Sequence, residues 1–179
     1  MKKIILLITI ILVACTETIK ANHEKIGIKI IIESNKDSIR LAEIDRYWIE
    51  LTRTVREGDF QGYKNAYHED AIVIFTTGKN KISIPLSKAL AGWKQGFVDT
   101  KNGKVKSDVE FRFSQRIGDE TTAHETGIFH YSSIDSSGKY IADQFIHFEM
   151  LLMKRNGAWV GLMEYQKSNA TQEAWDALK

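Results

Sequence analysis

The sequence predicts an α+β domain in which three helices precede a sheet of long antiparallel strands. Two successive patterns of apolar residues along the chain indicate this. Up to residue 101, apolar side chains recur at three- and four-residue steps, which is typical of amphipathic helices, and one strand-like segment interrupts them. After Asn102-Gly103 polar and apolar residues alternate, and turn residues separate four long segments. Helices that precede such a sheet in sequence are expected to cover one of its faces.

The helical half contains three predicted helices and one strand. A long amphipathic helix is predicted over residues 37–57, and Gly58 ends it. Asp59 is a good N-terminal cap for a short second helix. A strand rich in β-branched residues is predicted over residues 71–76. Pro85 then marks the start of a third helix, because proline is favoured in the first turn.

The second half contains four predicted strands joined by hairpin turns. Turn-forming pairs and quartets lie between them, and such residues fix how two strands are joined. The strands are predicted over residues 109–117, 121–133, 139–154 and 158–167. Residues 171–179 are expected to form a short helix or a frayed tail.

The N-terminus is typical of a secretory signal. Lys2-Lys3 precedes an apolar run of about ten residues, which is too short for a membrane span. The only cysteine, Cys15, follows Ala14 directly, and this arrangement resembles the lipobox of bacterial lipoproteins. The resemblance implies a lipid anchor on Cys15 and a place in the cell envelope, and Thr16 after it resembles an outer-membrane signal. A plain signal peptide or an uncleaved anchor is the alternative.

Composition excludes several functions. The net charge is +2 and no basic run alternates with aromatic residues, so nucleic acid is not an expected partner. A lipidated Cys15 leaves no thiol for a disulfide or a thiolate nucleophile. The sequence also contains no phosphate-binding glycine loop, no nucleophile elbow and no HExxH motif.

Several motifs together resemble the NTF2-like superfamily, in particular its SnoaL-like and ketosteroid-isomerase-like branch. They are Trp48, the Gly58-Asp59 break, the run from Tyr67 to Ala71, the run from Lys88 to Trp93, and the run from Asn156 to Trp159. The resemblance covers residues 36–168. It implies a cone in which a curved antiparallel sheet carries three helices on its concave face, an apolar pocket between them, no cofactor, and dimerisation through the sheet.

This resemblance divides the chain into four parts. Residues 1–15 are the expected signal peptide, 16–35 a tether, 36–168 the NTF2-like domain and 169–179 a C-terminal tail. The isoleucines of the tether could form an extra strand or extend the first helix.

Hairpin turns predict which side chains share a face of the sheet, because directly opposed residues point the same way. With two-residue turns at 118–119 and 156–157 and a four-residue turn at 135–138, one face mixes apolar and ionisable side chains. Its members include Phe111, Phe113, His124, His130, Asp143, Phe145, His147, Glu149, Leu162 and Glu164. The opposite face is apolar and aromatic. We assign the mixed face to the concave side; the alternative leaves its charges in solvent and makes the aromatic face the core.

The mixed face supplies the predicted active residues. Glu149 and Glu164 would lie side by side with His147 adjacent, and neighbouring carboxylates in an apolar cleft acquire shifted pKa values. Glu164 is the predicted general base, and a histidine or tyrosine would stabilise a developing oxyanion. The predicted ligand pocket consists of Phe111, Phe113, His124, His130, Asp143, Phe145, Leu162, Trp93 and Tyr63.

Metal binding is a weaker interpretation, and no metal site is predicted. His68-Glu69-Asp70 has suitable donors, but adjacent residues are expected to point apart. The group of His124, His147, Glu149 and Glu164 has zinc-compatible donors but no characteristic spacing.

Three functions fit these features. The first is an anchored domain that binds a small apolar or aromatic molecule. The second is a cofactor-free isomerase, cyclase or dehydratase with a pocket carboxylate as base. The third is a protein-interaction module of the cell envelope. Both faces of the sheet carry apolar side chains, and the helices can cover only one of them. A homodimer that covers the other face is therefore also expected.

Overall fold

The computed structural model describes residues 2–79 and 81–178, and within the first helix it describes side chains at positions 25, 26, 29, 30, 33 and from 35 onward. The chain divides into two compact units, Met1–Ile39 and Arg40–Lys179. Cys15 lies where side chains are outside the described residues, so its predicted lipidation remains a prediction.

The described residues form four helices. They are α1 (Lys2–Glu57), α2 (Phe60–Asn65), α3 (Leu86–Lys101) and α4 (Gln172–Ala177). α1 begins at Lys2 rather than at Asp37, so residues 16–35 extend the first helix, which was one of the two alternatives. Within the described part of the chain, no helical stretch combines the length and the apolar character that a bilayer crossing requires.

Six strands form one mixed sheet. They are β1 (Tyr67–Phe75), β2 (Ile82–Pro85), β3 (Val105–Gly118), β4 (Thr122–Asp135), β5 (Tyr140–Arg155) and β6 (Ala158–Asn169). The order across the sheet is β2-β1-β6-β5-β4-β3. The expected α+β class is therefore confirmed, and the sheet is mixed rather than antiparallel throughout. β1 runs parallel to β6 because the first strand of the chain lies beside the last. β2 was not predicted because turn residues precede Pro85 in the sequence.

The end of α1 and the start of α2 lie at the predicted signals. Asp59 caps α2 by accepting a hydrogen bond from the Gly62 backbone N–H over 2.9 Å. Gly58 ends α1 with a φ of +65°, a conformation that favours glycine. A Cβ there would lie 2.4 Å from the carbonyl oxygen of Phe97 in α3, so the approach of the two helices also requires glycine.

Helices α1, α2 and α3 cover one face of the sheet, which we call the concave face. Residues of α1 at helical spacing are buried against it, namely Ile44, Tyr47, Trp48, Leu51 and Val55. The sheet contributes an aromatic layer in which Phe111 and Phe148 lie 4.4 Å and 5.7 Å from Trp48 between ring centroids. Burial of such aromatic surface stabilises this core.

Two β-bulges change the predicted faces. In β3 the pairing shifts between Phe113 and Gln115, so that Phe113 opposes Gly127. In β6 the pairing shifts around Leu162, so that Glu164 opposes Met150 and Glu149 opposes Tyr165. Each extra residue turns the following side chains to the other face. The predicted opposition of Glu149 to Glu164 is therefore wrong.

The other face of the sheet, which we call the outer face, carries the remaining mixed residues. Helix α4 folds back onto it, and the buried Trp175 lies against His130 and Phe145. The Arg112 guanidinium lies 4.2 Å from the Trp175 ring centroid and donates a 2.8 Å hydrogen bond to its carbonyl. Residues 172–177 therefore form the short helix that was one of two expectations for the C-terminus.

Candidate functional site

The concave face and the helices enclose a cavity of about 380 Å³, which we call the aromatic cavity. Most of its wall is aromatic or aliphatic, and α1, α2, α3 and all the strands except β2 contribute to it. The aromatic lining residues are Trp48, Tyr63, Tyr67, Trp93, Phe97, Phe111, Phe129, Tyr131 and Phe148. A concave, mostly apolar space with a few polar groups is the usual form of a small-molecule site, and this volume is near the lower end of the range of about 300–1,000 Å³.

A carboxyl group with tyrosine hydroxyl neighbours forms one polar part of this wall, and Thr100, Ser107 and Gln144 are also polar. Glu164 is 9% exposed. Its Oε2 accepts a hydrogen bond from the Tyr67 hydroxyl over 2.6 Å, and its Oε1 accepts one from Gln166 Nε2 over 2.7 Å. The Tyr63 and Tyr67 hydroxyl oxygens lie 3.1 Å apart. We call Glu164, Tyr67, Gln166 and Tyr63 the Glu164 cluster.

Burial shifts the ionisation of the Glu164 cluster. Burial raises the pKa of Glu164, while the hydrogen bonds from Tyr67 and Gln166 act in the opposite direction. Burial, and next the Glu164 charge, raise the pKa of Tyr63 and of Tyr67 well above the usual value for tyrosine. The tyrosines therefore keep their hydrogens, and Glu164 is the group in this cluster that titrates first.

A third tyrosine stands close to this cluster. Burial raises the pKa of Tyr47 well above its usual value, with contributions from Tyr63 and Glu164. Its buried hydroxyl has no hydrogen-bond partner among the described residues. A buried polar group without a partner is unusual, so this hydroxyl could accept a hydrogen bond from an additional polar atom or donate one to it.

A second carboxylate, that of Glu125, holds a side chain of the cavity wall in place but does not itself line the cavity. Glu125 is fully buried and accepts a 3.0 Å hydrogen bond from the Trp48 indole N–H. Arg116 Nε donates to the same carboxylate over 2.9 Å, and its Nη1 donates to Asp45 over 2.7 Å. This network ties α1 to β3 and β4 and sets the orientation of Trp48.

Solved structures with the same architecture belong to one fold. No family model matches this sequence, and no curated protein matches it. An NTF-2 like protein of unknown function from Shewanella oneidensis MR-1 is 16% identical with a TM-score of 0.55, over 72% of this chain and 99% of that chain. The fold is NTF2-like. A ketosteroid isomerase-like protein from Erwinia carotovora atroseptica SCRI1043 is 15% identical with a TM-score of 0.53, over 73% and 96% of the chains.

A third neighbour widens the range of proteins with this NTF2-like fold. The protein Aln2 from a Streptomyces species is 10% identical with a TM-score of 0.57, over 72% of this chain and 89% of that chain. At these identities the similarity establishes the NTF2-like fold and leaves activity open, because one fold hosts many functions.

The NTF2-like domain places four predicted site residues around the aromatic cavity. They are Glu164, Phe111, Trp93 and Tyr63. Phe113 lies on the same face but packs in the core, with its ring centroid 5.3 Å from that of Trp48 and outside the cavity wall. Leu162 is the extra residue of the β6 bulge and is half-buried away from the wall.

The other predicted site residues lie on the outer face, which corrects the assignment of the mixed face to the concave side. They are His124, His130, Asp143, Phe145, His147 and Glu149. Glu149 accepts hydrogen bonds from Lys167 over 2.6 Å and shares one with His124 over 3.2 Å. The Lys167 contact lowers the pKa of Glu149, so it is an ion-paired carboxylate rather than a base in an apolar pocket. The bulges in β3 and β6 separate Phe111, Phe113 and Glu164 from these six residues, and the aromatic face packs on the helices, as in the alternative assignment.

The two metal interpretations have different outcomes. Glu164 lies on the opposite face from His124, His147 and Glu149, so these four side chains do not converge. His68, Glu69 and Asp70 place donor atoms within 4.8 Å of one another, contrary to the expectation, because β1 is irregular between Tyr67 and Ile72. The Asp70 N–H faces His68 Nδ1 and Arg155 Nη1 faces Nε2, and a neutral imidazole can accept from only one of these two donors.

Sequence reasoning missed part of the site. It did not include Gln166, Tyr67 or Tyr131 among the predicted site residues. Tyr67 is the first residue of β1, and its contact with Glu164 depends on the parallel pairing of β1 with β6. Glu125 was also missed. A lone carboxylate among alternating apolar residues of β4 is the signal that could have drawn attention to it.

Proposed function

We propose that this domain binds a compact, mostly aromatic small molecule in the aromatic cavity, with one polar group of that molecule directed at the Glu164 cluster. The observation that carries the proposal is a buried carboxyl group with two tyrosine hydroxyls in a wall that is mostly aromatic and aliphatic. Aromatic rings provide most of the contact area for a flat apolar ligand, and a few polar groups fix its orientation.

Calorimetric titration of the full chain with 2-naphthol tests this proposal. We expect one site per chain and a negative heat-capacity change, the mark of apolar burial. A matched pair of variants locates the site: Phe129→Leu removes a ring from the cavity wall, and Phe145→Leu makes the same change on the outer face. Phe129→Leu is expected to weaken binding about tenfold while Phe145→Leu leaves it unchanged. Equal effects of the two variants would contradict the proposed site.

Catalysis of proton transfer is the second candidate, and the raised pKa of the Glu164 carboxyl favours it. The ionised carboxylate would take a proton from the carbon next to a ligand carbonyl, the C–H electron pair would form an enolate, and the proton would return to carbon. 2-Tetralone in D₂O tests this step, because each cycle exchanges an α-hydrogen that NMR detects.

We expect Glu164→Gln to lower the exchange rate of 2-tetralone at least about a hundredfold, the usual contribution of a positioned base. Glu149→Gln on the outer face is the control and is expected to retain the rate of the unmodified protein. Exchange that is no faster than in buffer, or that survives in Glu164→Gln, excludes this enzyme activity and leaves the binding proposal in place.

We further propose that Cys15 carries a lipid and holds the domain at the cell envelope. Lys2-Lys3, the short apolar run and Ala14 before the cysteine support this. Mass spectrometry of the mature N-terminus from a bacterial host tests it. A chain that begins at a diacylated Cys15 is expected, and an unmodified Cys15 would contradict the anchor.

We also propose that two copies pair through the outer face. Helices cover the concave face, whereas the outer face carries a strip of apolar side chains from three neighbouring strands, including Ile72, Ile74, Leu151 and Met163. Ile72 is 38% exposed. Sedimentation velocity is expected to show a dimer that Met163→Lys converts to a monomer, and a monomeric unmodified protein would contradict the pairing.

A further inference from the structure

The Glu164 cluster contains a hydrogen-bonded chain of the Glu164 carboxyl and the Tyr67 and Tyr63 hydroxyls. The hydrogens of this chain can be arranged in few ways. Tyr67 lies between the other two groups, 2.6 Å from Glu164 Oε2 and 3.1 Å from the Tyr63 hydroxyl oxygen. Each phenol has one hydrogen to donate. An ionised carboxylate only accepts, so Tyr67 must donate to Glu164. Tyr63 then donates to Tyr67, and the Tyr63 oxygen offers only lone pairs to the cavity that it lines.

Protonation of Glu164 reverses each of these bonds. Gln166 donates to Oε1, so the added proton belongs on Oε2, the oxygen that faces Tyr67. Glu164 then donates to Tyr67, and Tyr67 donates to Tyr63. The same two contacts are kept, and the hydrogen of Tyr63 becomes free to point into the cavity. The reversal therefore changes the Tyr63 hydroxyl from a hydrogen-bond acceptor to a donor toward the cavity. No hydrogen bond inside the protein is broken.

We infer that the protonation state of Glu164 decides whether the aromatic cavity offers its ligand a hydrogen-bond donor or an acceptor at Tyr63. This inference rests on the proposed binding function and gives it a ligand class. With Glu164 protonated, the cavity binds aromatic ligands with an acceptor-only group, such as a ketone, more tightly than it does with Glu164 ionised. With Glu164 ionised, it favours ligands that carry a hydroxyl.

The groups around Glu164 allow this switch to work. Tyr67 faces it from β1 and Gln166 from its own strand, and the charge of Glu164 also acts on Tyr63 of α2 and Tyr47 of α1. Tyr131 of β4 acts on Tyr63. Burial raises the pKa of Tyr47, Tyr63 and Tyr67, so these hydroxyls keep their hydrogens while Glu164 titrates. Because the pKa of Glu164 is also raised, its protonated form extends to higher pH than for an exposed glutamate.

Three probes of similar size separate the effect from general binding. Naphthalene has no hydrogen-bonding group, 2-acetylnaphthalene only accepts, and 2-naphthol does both. The dissociation constant of each is measured on the full chain from about pH 8 to about pH 4, which is below the ordinary glutamate pKa, because the pKa of Glu164 is raised. The affinity of 2-acetylnaphthalene relative to naphthalene is expected to rise about tenfold as the pH falls. The relative affinity of 2-naphthol is expected to stay constant.

Variants assign the effect to the hydroxyl chain. Tyr63→Phe keeps the ring and removes the switching hydroxyl, so the pH dependence of the 2-acetylnaphthalene ratio is expected to disappear. Glu164→Gln does not titrate and is expected to abolish it as well. Tyr140→Phe changes an exposed tyrosine at the start of β5 and is expected to leave it intact.

The outcomes distinguish the inference from the proposed function. If naphthalene binds and the 2-acetylnaphthalene ratio does not change with pH, or changes equally in Tyr63→Phe, the switch is wrong and the binding site stands. If none of the three probes binds, both the switch and the proposed function fail.

Discussion

Glu125→Ala is expected to lower the free energy of unfolding by about 3–5 kcal/mol, the cost of removing one partner from a buried charge pair. The Glu125 side chain is fully buried and holds Trp48 and Arg116 through hydrogen bonds of 3.0 Å and 2.9 Å. Without it, the guanidinium loses its buried counter-charge and the indole N–H loses its acceptor. For a chain of this size the midpoint of thermal unfolding should fall by about 10 °C.

Two further variants test the cause of this loss. Glu110→Ala removes an exposed carboxylate from the adjacent strand β3 and is expected to change the midpoint little. Glu125→Gln keeps the shape and an acceptor for Trp48 but removes the charge, so its cost should lie between the other two. A midpoint for Glu125→Ala within about 2 °C of the unmodified protein, well below the shift that a buried network implies, would show that the network contributes little.

Gly96→Leu is expected to abolish most binding of 2-naphthol while the free energy of unfolding rises by up to about 1 kcal/mol. Gly92 and Gly96 lie one turn apart on α3 and line the aromatic cavity. A Cβ at either position meets no atom of the described residues within 4 Å. A leucine side chain can therefore occupy space meant for a ligand, and crowding of this kind should weaken binding roughly tenfold to a hundredfold.

Stability and binding should move in opposite directions in this variant. Glycine inside a helix costs up to about 1 kcal/mol relative to leucine, so α3 gains helix propensity. Lys88→Leu places the same side chain on an exposed part of α3 outside the cavity and is expected to leave the affinity unchanged. Normal affinity in a stably folded Gly96→Leu would show that the ligand does not occupy this part of the cavity.

The helical half of the fold could be predicted because its signals are local. The apolar spacing of α1, the Gly58 stop and the Asp59 cap each depend on residues within one or two turns. The hairpin between β5 and β6 could also be predicted near its turn, where Met153 opposes Val160 as expected.

The faces of the sheet could not be predicted from the turns alone because bulges intervene. An isolated glycine accompanies each of the two decisive bulges. Gly127 lies opposite Phe113, where a Cβ would approach the Arg112 carbonyl oxygen to 2.0 Å, and Gly161 directly precedes the extra residue Leu162. These glycines were visible in the sequence, and including them would have moved Phe111 and Glu164 to the face opposite His124 and Glu149.

The contact between Tyr67 and Glu164 is a different kind of case. The two residues are 97 positions apart and meet because β1 pairs in parallel with β6. No local pattern specifies which strand lies beside β1, since strand pairing depends on the whole sheet. The Tyr63–Tyr67–Glu164 arrangement therefore required the structure.

Methionine methyl NMR measures most directly whether a ligand occupies the aromatic cavity. Met150 contributes to the cavity wall, whereas Met153 and Met163 lie on the outer face. With methyl-labelled methionine and bound 2-naphthol, nuclear Overhauser effects from the naphthol protons should reach the Met150 methyl and neither of the other two. Effects at Met153 or Met163 without any at Met150 would place the ligand on the wrong side of the sheet and contradict a cavity-binding function.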